Sequence, residues 1–174
     1  MSHIITNFSE IAPLKKVLVH RPGDEFLNLT PNTLERLLFD DIPYLKVAQM
    51  EHDAFANALR NEGVEVVYLV DLVAEALENG GRTVRKKFLE QFVAEAGVTS
   101  PKVAKHCISF LNGIRDTRDM VAKCIAGIDI SELKALRKVS GFYATRDTGK
   151  MVIEPVPNIL YQRDPMATVG HGAT

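Results

Sequence analysis

Val64-Glu65-Val66-Val67-Tyr68-Leu69-Val70 decides the fold class. The run is rich in β-branched and aromatic residues and reads as a buried strand. Immediately upstream, Asn61-Glu62-Gly63 closes a helix. That helix follows Pro43, and its Leu45, Ala48, His52, Phe55 and Leu59 recur at alternating steps of three and four, which draws one apolar face. Further upstream, Thr30-Pro31 offers a capping hydroxyl and then proline at the first helical position. A short helix should run from there through Leu34, Leu37 and Leu38 and stop near Asp40-Asp41-Ile42-Pro43. The first strand is Val17-Leu18-Val19, closed by His20-Arg21-Pro22-Gly23. Strand, helix and strand with short joints predict an α/β unit.

Downstream of Asp71 the character changes. Residues 72–139 read as consecutive short helices punctuated by Asn79-Gly80-Gly81, Gly97, Asn112-Gly113 and Gly127. Ser100, before Pro101, and Ser131, before Glu132-Leu133, are the expected caps. Strand character returns at Met151-Val152-Ile153, and Pro155 and Pro157 then keep the chain out of a central ladder position. The predicted organisation is an α/β part made of residues 1–71 and 140–174, with an all-helical insert at 72–139. Ala167-Thr168-Val169 reads as a further core strand. The chain reaches Thr174 without a closing element, which sets the expectation that it is the front part of a larger protein.

Bulk properties narrow the function. The 174 residues suffice for a domain with a real core. A composition 46% hydrophobic and 25% charged, with net charge -1, offers no global field for nucleic acid or an anionic membrane. No apolar run approaches bilayer length, and the N-terminus has no secretory pattern. Cys107 and Cys124 each follow an apolar residue by four, so both read as reduced, small core residues in a cytoplasmic protein. There is no zinc spacing and no glycine-rich phosphate loop. The basic run Arg82, Arg85, Lys86, Lys87 reads as a solvated helix face.

The polar stretch Pro157-Asn158-Ile159-Leu160-Tyr161-Gln162-Arg163-Asp164-Pro165 is the richest in chemistry. A carboxylate such as Asp164 can grip a guanidinium through two parallel hydrogen bonds, fixing its plane. A structural ion pair with Arg163, or a plain surface charge, is the competing reading. Asn158 can serve both the ammonium and the carboxylate of an amino acid, or it can be a turn residue after Pro157. Asp40 and Asp41 read as caps for the helix after Pro43. His20-Arg21-Pro22-Gly23 is either a site loop or a plain turn. His52 reads as a satisfied core histidine.

Three motifs carry a resemblance: His20-Arg21-Pro22-Gly23 after the first strand, Leu37-Leu38-Phe39-Asp40-Asp41-Ile42-Pro43, and Pro157-Asn158 through Arg163-Asp164-Pro165. In this order, with a helical insert that includes Ile125-Ala126-Gly127-Ile128, the chain resembles the N-terminal part of bacterial arginine deiminases. The similarity spans essentially the whole chain. The third motif is shared with other guanidine-modifying enzymes. The insert and the Leu-Leu-Phe-Asp-Asp run select the deiminases.

The resemblance implies a five-module ββαβ propeller, the pentein fold, with a helical insert. It implies hydrolysis of L-arginine to L-citrulline and ammonia without metal or organic cofactor. A cysteine attacks the guanidinium carbon, ammonia leaves, and water resolves the thiouronium while a histidine moves the protons. By matching positions, Asp164 takes the place of a guanidinium-binding aspartate and is the catalytic candidate. Asn158, Leu38 and Tyr161 fall on substrate-binding positions, and Arg163 joins them in a supporting place. Tyr161-Gln162 stands where Phe-Thr is more usual, and His171 where Asn is common. The nucleophilic cysteine, the histidine and the remaining acidic residues are expected beyond Thr174, so this chain alone should be inactive. A propeller cut this early should expose sheet edges and oligomerise, swap strands or be marginally stable. The expected partners are L-arginine and further copies of the same chain. The alternatives are an amidinotransferase or dimethylarginine hydrolase relative, or a non-catalytic helical interaction module built on 72–139.

Overall fold

A computed structural model describes residues 5–9, 11–133 and 151–173. Strands β1 (Lys16–Val19) and β2 (Glu65–Tyr68) lie side by side and parallel, with Val17 opposite Val66 and Leu18 opposite Val67. Parallel neighbours need a crossover rather than a tight turn. It is supplied by α1 (Pro31–Leu37) and α2 (Leu45–Asn61). The strand–helix–strand unit is therefore present, and the chain is a mixed α/β protein.

Helix α1 starts where Thr30-Pro31 predicts. The Thr30 amide donates to Thr33 Oγ1 at 3.0 Å, and the Thr33 amide returns to Thr30 O at 2.9 Å. Asp40 and Asp41 do not cap α2. Tyr44 precedes its first turn without a side-chain cap, and Asp41 Oδ1 accepts the next amide, Ile42, at 2.7 Å. The packed face of α2 also differs by one position. Leu45, Ala48, His52 and Leu59 are half-buried as expected, but Phe55 is 54% exposed and Ala56 is fully buried. Ala56 follows His52 by four and precedes Leu59 by three, so it sits on the stripe while allowing close contact with the sheet.

The apolar run at 64–70 is divided between two elements. β2 stops at Tyr68, and Leu69 opens α3 (Leu69–Glu95). Val70, Ala74 and Leu77, spaced four and three, are buried on α3, so helix packing claims the end of the run. The break expected at Asn79-Gly80-Gly81 is present as a kink: Gly81 has non-helical φ 70° and ψ -169° inside α3. Helices α4 (Pro101–Asn112) and α5 (Thr117–Ala126) pack with α3 into a core that includes Leu89, Val93, Cys107, Leu111, Met120 and Cys124. The Ser100 hydroxyl makes no cap bond, whereas Asp116 Oδ1 accepts the Asp119 amide at 2.8 Å. Arg85 is not on a solvated face. It is half-buried and donates to Ile114 O at 2.9 Å and Thr117 Oγ1 at 3.3 Å, tying α3 to the joint between α4 and α5.

After α5, strand β3 (Ile128–Asp129) pairs antiparallel with β4 (Met151–Ile153). A two-residue strand has no periodicity to read, so only pairing reveals it. Ser131 is not the cap of the next turn. Asp129 Oδ1 accepts the Ser131 amide at 2.7 Å and starts a 3₁₀ turn at Ile130–Glu132. Ile128 and Ile153 are both buried in the core that α3, α4 and α5 build. The rest of the insert expected to Val139, and the start of the returning α/β part at 140, lie outside the described residues. β5 (Thr168–Val169) and β6 (Gly172–Ala173) form a small hairpin. Val169 is 68% exposed, so this segment is not a core strand here. Asn7 pairs with Gly170 through two backbone hydrogen bonds of 2.7 Å, and its side-chain amide donates to Thr168 O at 2.8 Å.

Candidate functional site

Two segments carry the sequence-predicted site residues. The first is the end of α1. The Phe39 amide reaches Leu34 O at 3.0 Å and the Leu38 amide reaches Glu35 O at 3.2 Å, the bonding of a left-handed helix stop. Glycine usually fills that place, but here it is Leu38, at φ 60° and ψ 36°. It is the one non-glycine with positive φ among the described residues, and its side chain is 86% exposed. A branched apolar residue held in this backbone region and presented to solvent is costly on both counts. Phe39 beside it anchors the stop, with its ring edge-on to Phe26 at 5.7 Å.

The second segment begins where β4 ends. The Val156 amide donates to Ile125 O at 2.9 Å, which docks the proline-flanked chain on the end of α5. Pro157–Leu160 then forms a 3₁₀ turn, closed by the Tyr161 amide on Asn158 O at 3.0 Å. The Gln162 side-chain amide donates to Ile159 O. The Asp164 amide donates to Tyr161 O at 3.1 Å. Successive tight turns thus hold Asn158 half-buried, with Tyr161, Arg163 and Asp164 exposed along one short stretch. The Asp164 carboxylate has no side-chain partner among the described residues, so the ion pair with Arg163 is not formed. The two segments are braced by Arg36 Nη2 on Glu154 Oε2 at 3.0 Å, just before Leu38 on one side and just before Pro155 on the other.

A third cluster was only half legible. His20 is 4% exposed and Glu25 2%, with His20 Nε2 and Glu25 Oε1 2.8 Å apart. Glu25 Oε1 also accepts the Gly23 amide at 2.7 Å, so His20-Arg21-Pro22-Gly23 is a turn closed over a buried carboxylate. Glu25 was not singled out in the sequence. The available signal was its place just past a Pro-Gly turn and directly before Phe26. Arg21 pairs with Asp53 on α2 through Nε–Oδ1 at 2.7 Å and Nη2–Oδ2 at 2.9 Å. This pairing raises the Arg21 pKa and lowers that of Asp53. His52 is not a satisfied histidine, because its buried Nδ1 has no hydrogen-bond partner among the described residues.

Both cysteines are free and buried. Desolvation raises the Cys107 thiol and pushes Cys124 up to about 12, so neither sits where a thiolate forms readily. Among the described residues no three His, Cys, Asp or Glu side chains gather as a metal site. No described helix is long and apolar enough to cross a membrane.

The family model for arginine deiminase matches residues 35–174. The arginine deiminase of Treponema denticola is 47% identical over 98% of this chain and 42% of its own length. That of Clostridium perfringens is 49% identical over 95% of this chain and 40% of its own. That of Streptococcus agalactiae is 46% identical over 99% of this chain and 42% of its own. The chain therefore spans about two-fifths of the length of the curated relatives it matches. The match covers both segments of the candidate site and the helices between them, and the chain belongs to the arginine deiminase family.

Proposed function

We propose that this chain supplies the first part of an arginine-hydrolysing site, converting L-arginine to L-citrulline and ammonia. In this reading Asp164 grips the guanidinium and fixes its plane, and Asn158 holds the α-substituents. Tyr161 walls the pocket, Leu38 offers backbone groups to the substrate, and Arg163 supports them. The nucleophilic cysteine and the proton-transferring histidine come from sequence beyond Thr174. The thiolate adds to the guanidinium carbon, the C–N bond to ammonia breaks, and water hydrolyses the thiouronium to restore the thiol. The pentein propeller, a cytoplasmic location and assembly with further copies of the same chain belong to the same reading.

The observation that carries it is the family match across 35–174, which takes in every candidate residue. The geometry supports it: an exposed Asp164 on a constrained turn with no side-chain partner among the described residues, and a leucine held left-handed where glycine is the cheaper choice. The interaction-module alternative requires a large apolar patch on the insert. Leu72 at 42% and Val84 at 45% are the only large exposed hydrophobics on its described part, so that reading gains no support.

The test joins residues 1–174 to the remaining three-fifths of the Treponema denticola relative and measures citrulline from L-arginine. The chimera should be active, the chain alone inactive, and Asp164→Ala should lower kcat/KM by about 10²-fold or more. A folded chimera without activity, or one indifferent to Asp164→Ala, overturns the assignment.

A further inference from the structure

Where α2 leans on the turn after β1, two histidines lie without complete hydrogen bonding. His20 Nδ1 and His52 Nδ1 are sealed from solvent, and neither has a hydrogen-bond partner among the described residues. The half-buried His52 ring lies 6.0 Å from the Tyr68 ring and 6.3 Å from that of Phe55. A neutral ring tolerates such a place. A protonated one sets a buried N–H against no acceptor and brings a charge with it.

The groups facing His52 act in both directions: Asp53 favours the charge, and His20, Arg21 and Arg60 oppose it. Asp53 and Arg60 come from α2 itself, and His20 and Arg21 from the turn after β1, with Glu25 behind His20. β2 contributes Tyr68, whose hydroxyl accepts from Arg60 Nη2 at 3.3 Å. Asp53 is the carboxylate nearest in sequence, and Arg21 already engages both of its oxygens. A second proton on His52 therefore meets cations from both elements and a committed counter-charge.

We propose that His52 is an acid-sensitive latch: taking up a proton loosens α2 from the parallel β1–β2 pair and releases the turn that α2 holds. That turn hangs on α2 through Gln49 Nε2 on Pro22 O at 2.9 Å and through the Arg21–Asp53 pair. Burial lowers the His52 pKa from its ordinary value, in keeping with the geometry. The unfolded chain takes the proton near pH 6.5 and the folded chain only below that. Stability is complete above about pH 6.5 and falls as pH drops through that value, until the folded ring also titrates. Each unit of depression changes the folded-to-unfolded ratio about tenfold. The latch concerns the folding equilibrium of this chain and holds whatever its substrate.

Hydrogen exchange of the chain at pH 7.5 and 5.0, corrected for intrinsic exchange, tests it. Protection of α2 and of residues 20–25 should fall at pH 5.0, while α4 and α5 keep theirs. His52→Gln and His52→Phe should flatten this dependence. An unchanged α2 in the wild type, a dependence retained in both variants, or one abolished only by His20→Gln overturns the proposal. Should the variants not fold, the wild-type His52 ring decides by NMR titration: a midpoint well below 6.5 supports the latch, and an ordinary midpoint refutes it.

Discussion

Replacing Gly127 with alanine should be among the most damaging single changes in this chain. Gly127 ends α5 at φ 80° and ψ 179°, a region essentially reserved for glycine, so a side chain there costs about 1–3 kcal/mol in backbone strain. A Cβ would also lie 2.5 Å from Ile153 O, 2.8 Å from Pro155 N and 2.8 Å from Met151 Cε. The methionine end can swing away. The other two atoms are backbone of β4 and of the segment leading to Asn158, so the β3–β4 pairing must open. Overpacking of this kind adds about 1–3 kcal/mol. The sum is about 4 kcal/mol, a large fraction of a typical domain's stability. Gly81 is the matched control. Its φ 70° and ψ -169° lie in the same region, but a Cβ there meets nothing within 4 Å. Gly81→Ala should therefore cost only the strain, about 2 kcal/mol. Alanine's effect on the unfolded chain is common to both variants and cancels in the comparison. With a urea slope of about 2 kcal/mol per molar, the midpoints should fall by about 2 M for Gly127→Ala and about 1 M for Gly81→Ala. Equal shifts in the two variants would refute the claim that close approach of β4 is what demands glycine at 127.

The core yields two further outcomes. Leu111 is 0% exposed in the core shared by α3, α4 and α5, so Leu111→Ala should cost about 2–5 kcal/mol by urea unfolding, with the slope unchanged. Cys107 and Cys124 should resist a thiol reagent at pH 8 in the folded chain and react promptly in urea. Burial raises both pKa values, Cys124 to about 12, and blocks access.

Much of the secondary structure was legible because its signals are local. Thr30-Pro31 starts α1, Asn61-Glu62-Gly63 ends α2, and the glycines at 97, 113 and 127 follow or close helices. Where the reading failed, a tertiary contact had outweighed a local signal. Leu69 and Val70 look like strand, yet Val70 belongs to the same buried face as Leu77 on α3. Phe55 fits an apolar face by spacing, yet the tight contact with the sheet takes Ala56. Ser100 and Ser131 look like caps; Ser100 makes no cap bond, and Asp129 takes that role at the turn containing Ser131. Of the candidate site, residue types and family resemblance marked Leu38, Asn158, Tyr161, Arg163 and Asp164. Neither showed that Leu38 is held left-handed, nor that Arg36 and Glu154 brace the two segments.

The order of residues alone determined the α/β class, the helical stretch after β2, and the family to which the motifs belong. Each rests on steric and hydrogen-bonding preferences that act within a few residues, or on a pattern of residue types along the chain. Only tertiary structure decided that Glu25 is buried against His20, that His52 Nδ1 is left without a hydrogen-bond partner among the described residues, and that β3 exists as a strand. Burial and pairing are relations between distant parts of the chain. The protonation, exposure and backbone strain that matter for chemistry are set by what the fold brings near.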